Sequence, residues 1–176
     1  MLNKLFALAP VVLLAACASL TQEQCETGDW SSIGYNDGVE GRSESYINQH
    51  RDACGEYGIT PDVNAWLAGR EQGLKQYCTR PNAYQLGRSG DELNPVCRTD
   101  VDALKLANFY GLRYYELDQM IVKARDEMNT YIEALASDDG SLSPEIRQFY
   151  LGRIRELQYN IALWEAEKVK YAVMPN

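Results

Sequence analysis

The sequence is poor in the residues that most active-site chemistry needs. It has one histidine, His50, and its 17 Lys and Arg are outnumbered by 25 Asp and Glu. An acidic surface repels nucleic acid and anionic lipid headgroups, so we expect no nucleic-acid partner and no basic membrane patch. No two cysteines have the CxxC spacing of redox motifs or zinc knuckles. We therefore predict no metal site and no cofactor.

Long apolar runs are also scarce, and the one that stands out lies at the N-terminus. Leu5 to Leu14 is uninterrupted and follows the positive charge of Lys4, which is the geometry of a signal peptide. A membrane-spanning helix needs about 20 apolar residues. This run is shorter and contains Pro10, so it predicts an exported protein with a signal peptide at residues 1–16.

The end of the leader, Leu14-Ala15-Ala16-Cys17, resembles the lipobox of bacterial lipoproteins. The resemblance implies cleavage before Cys17, lipidation of its thiol and palmitate-type acyl chains, several of which make a stable membrane anchor. Ala18 and Ser19 follow where an Asp would resemble an inner-membrane retention signal, which favours the outer membrane, facing the periplasm. The alternative is ordinary cleavage that leaves a free thiol. We predict a lipidated tether at residues 17–24.

The other four cysteines, Cys25, Cys54, Cys78 and Cys97, form an even set, which in an exported protein predicts two disulfides. We expect one helix from Trp30 to Cys54 and a second, antiparallel helix from Thr60-Pro61 to Cys78. A helix of 24 residues is about 36 Å long, beyond disulfide reach. The preferred pairs are therefore Cys25 with Cys78 and Cys54 with Cys97.

Glycines recur on the predicted helices of this half of the chain. Gly34, Gly38 and Gly41 share one face of the first helix, and Gly69 and Gly73 lie four apart on the second. Each glycine weakens a helix by roughly 1 kcal/mol relative to Ala, so the pattern predicts that another helix approaches closely. A third short helix is expected near 83–90. Together these helices form a predicted disulfide-linked module at residues 25–98.

An aromatic-x-x-Gly motif occurs four times, at Tyr35, Trp66, Tyr84 and Phe149. We favour a packing role, in which the aromatic fills space beside a close helix crossing. The alternative is a ligand-facing motif that binds peptidoglycan or surface polysaccharide. Its candidate ligand-binding residues are Trp30, Tyr35, Asp37, Trp66, Arg70 and Tyr84, with Asn36 as a further hydrogen-bonding group.

The spaced cysteines, glycines and aromatics of residues 25–97 are similar to the bacterial lipoprotein family known as domain of unknown function 2799. The resemblance implies an envelope lipoprotein and supplies no catalytic residue. The residues that carry it are Cys25, Asp29, Trp30, Gly34, Tyr35, Asp37, Gly38, Gly41, His50, Cys54, Pro61, Asp62, Gly69, Arg70, Gly73, Leu74, Tyr77, Cys78, Gly87, Gly90, Val96 and Cys97.

The remaining residues, 99–174, predict a long antiparallel helical hairpin of coiled-coil type. Apolar positions alternate steps of three and four from Ala103 to Leu135, and the pattern resumes from Tyr150 after Ser143-Pro144, a typical helix start. Two long helices joined by a short loop fold back on each other. The predicted fold class is all-α, a disulfide-stapled module of short glycine-containing helices followed by this hairpin.

The sequence offers few candidate catalytic residues. His50 lies late in a predicted helix, where we expect a surface or helix-end histidine, and Ser89 lacks the strand context of a nucleophile elbow. We therefore expect a protein that is not an enzyme. The hypothesis is a structural or interaction lipoprotein whose hairpin binds another envelope protein, and the alternative is the glycan-binding module.

Overall fold

The computed structural model describes residues 19–175, and this part of the chain is helical with no strand. The predicted signal peptide and the lipidation site at Cys17 lie outside the described residues. The predicted all-α fold is confirmed. The helices are α1 (Gln22–Thr27), α2 (Trp30–Val39), α3 (Ile47–Gly55), α4 (Val63–Tyr77), α5 (Arg80–Arg88), α6 (Val101–Ala136) and α7 (Pro144–Lys168), with short 3-10 helices at Glu44–Tyr46 and Val169–Tyr171.

Local sequence explains most helix starts. Asp29, Asp62, Thr79 and Ser143 each accept a hydrogen bond from a backbone N–H of the first turn of α2, α4, α5 and α7, respectively. The second helix is thus capped at Asp62 and not at Thr60. Pro81 and Pro144 lie in the first turns of α5 and α7, where the missing N–H has no partner to lose.

The predicted helix from Trp30 to Cys54 is wrong, because it breaks after Val39. Gly41 adopts a φ of +69°, and a Cβ there would lie 2.2 Å from the ring of Tyr77. Only glycine combines that backbone conformation with so close a contact. The chain turns at Gly41, and α3 runs back so that Cys54 returns to the start of α2.

This reversal corrects the predicted disulfides. Cys25 is bonded to Cys54 and Cys78 to Cys97, with Cα–Cα distances of 5.5 Å and 5.6 Å. The preferred pairs, Cys25 with Cys78 and Cys54 with Cys97, assumed an unbroken first helix that holds Cys25 and Cys54 far apart. With the turn in place, each disulfide instead joins two cysteines that follow one another in the order of cysteines along the sequence.

Helices α2 and α4 cross with their backbones in contact, as the glycine pattern predicted. They run parallel and not antiparallel, because α3 has already reversed the chain. The contact is reciprocal, since each glycine faces the carbonyl three residues before a glycine of the other helix. A Cβ would lie 1.9 to 2.2 Å from that oxygen in all four cases: Gly34 faces Trp66, Gly38 faces Arg70, Gly69 faces Ser31 and Gly73 faces Tyr35.

The same reciprocal crossing joins α5 to α6. A Cβ on Gly87 would lie 2.2 Å from the carbonyl oxygen of Asn108, and one on Gly111 would lie 2.2 Å from that of Tyr84. The N-terminal turns of α6 therefore complete the core around α5, where Ala83 and Leu104 are fully buried. Helix α6 belongs to both regions: its first turns pack on the module and the rest forms the hairpin.

The hairpin consists of α6, the loop 137–143 and α7. Its two helices pack on each other along the predicted line of apolar positions, which we call the seam. None of the predicted seam residues is solvent-exposed, and Ile121, Ala124, Leu157 and Ile161 form its core. Ion pairs flank the seam and fix the antiparallel register: Arg113 with Glu167, Asp118 with Lys168, Arg125 with Glu165, and Glu127 with Arg153.

Candidate functional site

A buried carboxylate lies at the centre of the disulfide-linked module. Asp37 is 7% exposed, and its Oδ2 atom accepts two hydrogen bonds of 2.7 Å, from Trp66 Nε1 and from His50 Nε2. Trp66 and His50 are themselves 0% and 1% exposed. A buried carboxylate is tolerated only when donors replace its water. These three side chains therefore lock α2, α3 and α4 together.

The other nitrogen of His50 reaches the N-terminal segment. His50 Nδ1 lies 2.9 Å from Ser19 Oγ, and the next residue, Leu20, is buried in the core that surrounds the first disulfide. The imidazole of His50 bonds to Asp37 through Nε2 and to Ser19 through Nδ1. One continuous hydrogen-bonded chain, Ser19–His50–Asp37–Trp66, joins four segments of the molecule.

This chain contains a hydroxyl, an imidazole and a carboxylate, which are the nucleophile, the base and the orienting acid of a catalytic triad. In a catalytic triad the substrate must reach both the nucleophile and the imidazole. Here the imidazole is enclosed by Tyr46 and Trp66, whose rings lie edge-on with centroids 5.1 and 6.4 Å from it. The arrangement favours bracing of the fold over nucleophilic catalysis.

Arg70, a predicted ligand-binding residue, is also buried and partnered. Its Nε donates to the carbonyl of Arg42 at 2.7 Å, and its Nη1 lies 3.8 Å from Glu44. Burial lowers the pKa of Arg70, and the Glu44 carboxylate acts in the opposite direction. The guanidinium borders a cleft of about 430 Å³ that is also lined by Glu71, Leu74, Lys75, Cys78, Val96, Cys97, Arg98 and Thr99.

Three of the four aromatics proposed to stack on sugars are not available to do so. Trp30, Trp66 and Tyr84 are buried at helix contacts, so these three candidate ligand-binding residues have the packing role that the sequence favoured. The hydroxyl of Tyr84 donates to the carbonyl of Tyr171 at 2.8 Å and so holds the C-terminal segment. Tyr35 alone lies at the surface, beside a polar cleft of about 340 Å³ formed with Ser31, Ser32, Asn36, Gly69 and Gln72.

The four aromatic-x-x-Gly motifs differ in one respect. At Tyr35, Trp66 and Tyr84 the glycine faces the backbone of a neighbouring helix, as expected for a packing role. At Phe149 the glycine is Gly152, and a Cβ there would meet nothing within 4 Å. Phe149 is itself 57% exposed. The fourth motif therefore points to solvent.

Phe149 and Gly152 begin a second line of residues along α7. The line starts beside the seam, where the Phe149 ring centroid lies 6.2 Å from that of Tyr131, and from Gly152 onward it lies opposite the seam. The same steps of three and four continue through the charged residue Glu156 to Tyr159 and Leu163, which are 65% and 50% exposed. We call Phe149, Gly152, Tyr159 and Leu163 the outer face of α7. Residues at this spacing share one side of a helix, so the exposed apolar groups are in line.

Sequence reasoning missed the buried role of His50, which we expected at the surface or a helix end. A signal was present: Ile47, His50 and Cys54 are spaced as one face of a helix, and all three are buried. It also missed Ser19 and Leu20, because the predicted tether of residues 17–24 was treated as free chain. Its described part, from Ser19 onward, is folded onto the module and includes the start of α1.

No group of three or more His, Cys, Asp or Glu within residues 19–175 is placed to hold a metal ion. Over the same range, no helix is both long and apolar enough to cross a membrane.

Residues 29–111 match the family model DUF2799, described as a protein of unknown function. The match covers 83 of the 176 residues, and the similarity to this family is that of residues 29–111. The match begins at the cap of α2, includes both glycine crossings and ends at Gly111, inside α6, so it spans the glycine-built part of the molecule and leaves α7 outside. No curated protein and no solved structure matches the chain.

Proposed function

We propose that this protein is a non-enzymatic lipoprotein of the outer membrane, anchored by Cys17 and facing the periplasm, whose hairpin binds another envelope protein. The observation that carries the proposal is the outer face of α7. Exposed apolar patches on a protein surface mark binding sites, and Phe149, Tyr159 and Leu163 lie exposed along this helix with Glu156 between them. Aromatic residues are also enriched at the centres of protein interfaces.

The hairpin does not use Tyr159 or Leu163 of the outer face in its core, whereas the ring of Phe149 lies against that of the seam residue Tyr131. The hairpin core is closed by Leu157 and Ile161, on the opposite side of α7, and by the flanking ion pairs. Substitutions of Tyr159 and Leu163 should therefore separate binding from folding. This separation makes the proposal testable with the folded protein.

The test is copurification from crosslinked cells with the double variant Tyr159→Lys/Leu163→Lys. We expect loss of the proteins that copurify specifically with the wild type and an unchanged melting temperature. The matched control is Asp126→Lys, an exposed position on the outer side of α6, which should retain them. Equal recovery from wild type, control and double variant would contradict the proposed role of the outer face.

Anchoring rests on the lipobox-like sequence before Cys17. Cys17→Ser removes the thiol that receives lipid, so we expect a folded protein released into the periplasmic fraction. Metabolic labelling with a fatty acid should mark the wild type and not the variant. Labelling of Cys17→Ser, or its loss of folding with intact expression, would show that Cys17 does not act as the proposed anchor.

A second candidate function is binding of cell-wall glycan at the cleft beside Tyr35. The exposed ring and the surrounding hydroxyl and amide groups are the types that stack on sugars and bond their hydroxyls. Tyr35→Ala should weaken sedimentation with purified peptidoglycan at moderate salt. Tyr57→Ala, an exposed tyrosine elsewhere on the module, should not. No sedimentation of the wild type would remove this candidate.

A further inference from the structure

The segment that follows the anchor is fixed to the module from its second residue. Leu20 is 7% exposed in a core that contains Cys25, Trp30, Ile47, Cys54 and Trp66. Ser19 bonds to His50 at 2.9 Å, and Thr21 caps α1 through a reciprocal pair of hydrogen bonds with Gln24. The disulfide between Cys25 and Cys54 then ties α1 to α3. This segment is part of the folded core.

The length of free chain between anchor and module is consequently very short. Only Ala18 separates Cys17 from Ser19, and two residues of extended chain span at most about 7 Å. A lipid thioether at Cys17 places that residue at the membrane interface. Ser19 and the module surface around it then lie within one side-chain length of the lipid headgroups.

We propose that the disulfide-linked module rests directly on the lipid surface in one orientation, set by the docking of Ser19 and Leu20. The partner of this surface is a layer of phospholipid headgroups. This inference rests on the proposed lipidation of Cys17 and adds to it that the anchor is rigidly coupled to the fold. The chain Ser19–His50–Asp37–Trp66 is the coupling, since it joins the anchored segment to α3, α2 and α4.

Charge does not supply this orientation. The mature chain has 16 Lys and Arg against 25 Asp and Glu, and Glu23 and Glu26 of α1 are exposed close to the anchor. These carboxylates are repelled by anionic headgroups and give no attraction to zwitterionic ones. The covalent anchor and the docked segment therefore have to hold the module in place.

The experiment measures energy transfer from tryptophan to a dansyl-labelled headgroup lipid in phosphatidylcholine vesicles that carry the lipidated full-length protein. Of the three tryptophans, Trp30 and Trp66 lie in the module core and Trp164 in the hairpin. All proteins therefore carry Trp164→Phe. In the test variant, a flexible linker of ten Gly and Ser residues is inserted between Ala18 and Ser19. The root-mean-square end-to-end distance of this linker is about 17 Å. The control has the same insertion between Asp139 and Gly140, in the hairpin loop.

We expect the insertion before Ser19 to lower the transfer efficiency by about twofold and the loop insertion to leave it unchanged. Non-reducing mass mapping of the Cys25–Cys54 bond verifies that the module is folded in each protein. Equal transfer from the test variant and the control overturns the inference. Flotation with the vesicles is scored separately, because a wild-type protein that does not float shows failure of the anchor itself.

A second variant, Ser19→Ala/Leu20→Ser, undocks the segment without lengthening it. We expect a smaller loss of transfer and faster amide exchange at residues 19–21, with flotation retained. Faster exchange at these residues with unchanged transfer would show that docking does not set the orientation.

Discussion

The module and the hairpin are both helical, but they hold their helices together in different ways. In the module, glycines let backbones touch, and buried polar groups and disulfides join the segments. In the hairpin, larger side chains interlock along a seam, and ion pairs line its edges. A backbone-to-backbone crossing has no room for change, whereas side-chain packing with an exposed far side tolerates substitution. The first arrangement suits a fixed base and the second a surface that binds partners.

The sharpest contrast is between two glycines. Gly69→Val puts a side chain 1.9 Å from the Ser31 carbonyl oxygen at the position of Cβ, so we expect at least about 4 kcal/mol of destabilisation or loss of folding. Gly152→Ala in the hairpin has open space and should stabilise by about 0.5–1 kcal/mol. Chemical denaturation measures both. Similar effects at the two sites would remove the distinction.

Loss of a disulfide should lower the stability of the module and leave that of the hairpin unchanged. Cys54→Ala, which breaks the bond to Cys25, should cost about 2–5 kcal/mol, and the loss should be confined to the module. Hydrogen exchange in the variant should therefore accelerate in α2 to α4 and stay slow in the middle of α6 and α7. Uniform acceleration would indicate that the two regions unfold as one unit.

The buried carboxylate of the module has no equivalent in the hairpin seam. Asp37→Ala leaves the buried donors of His50 and Trp66 without their acceptor, and each unsatisfied buried group costs about 1–3 kcal/mol. Glu40→Ala, an exposed carboxylate just past the end of the same helix, should change the unfolding free energy by less than about 0.5 kcal/mol. Thermal unfolding at neutral pH provides the comparison. A small effect at Asp37 would argue against the bracing role.

The smallest expected effect concerns the hairpin loop and its response to acid. Backbone N–H groups of Leu142 and Gly140, with Arg147, lower the pKa of Asp138. Because the folded-state pKa is lowered, the stability that these contacts give the loop is present above the unfolded pKa of about 3.9. It is lost as pH falls through the folded-state pKa. The protection of the loop amides, taken relative to their intrinsic exchange rate at each pH, should fall at acidic pH in the wild type. In Asp138→Ala, which has no acceptor, the protection should be low at neutral pH also, and a protected loop in that variant would contradict the cap.

The hairpin was predictable because its signal is periodic and long. From Ala103 to Leu135 the apolar residues alternate steps of three and four, which indicates a helix that packs on another helix along one side. Capping residues mark the start of the second helix. The glycine crossings were also predictable as close approaches. Gly41 was not distinguished from Gly34 and Gly38, because sequence alone does not separate a glycine that admits a neighbouring helix from one that reverses the chain.

One missed turn explains two of the errors. With α2 and α3 treated as a single helix, Cys25 and Cys54 were separated by its whole length, and the disulfides were paired incorrectly. The same error placed His50 away from Asp37. Burial of Trp66 and Arg70 was hidden for a different reason: their residue types suit a binding surface as well as a packed core, and only the fold decides between them.

We propose that the module is the membrane-fixed base and that the outer face of α7 is the surface that binds a partner. The most direct measurement places a photo-crosslinking amino acid at position 159 in intact cells, with position 126 as the control. We predict a discrete crosslinked species of defined mass from position 159 and none from position 126. No crosslink from position 159, or the same crosslinks from both positions, would contradict the claim.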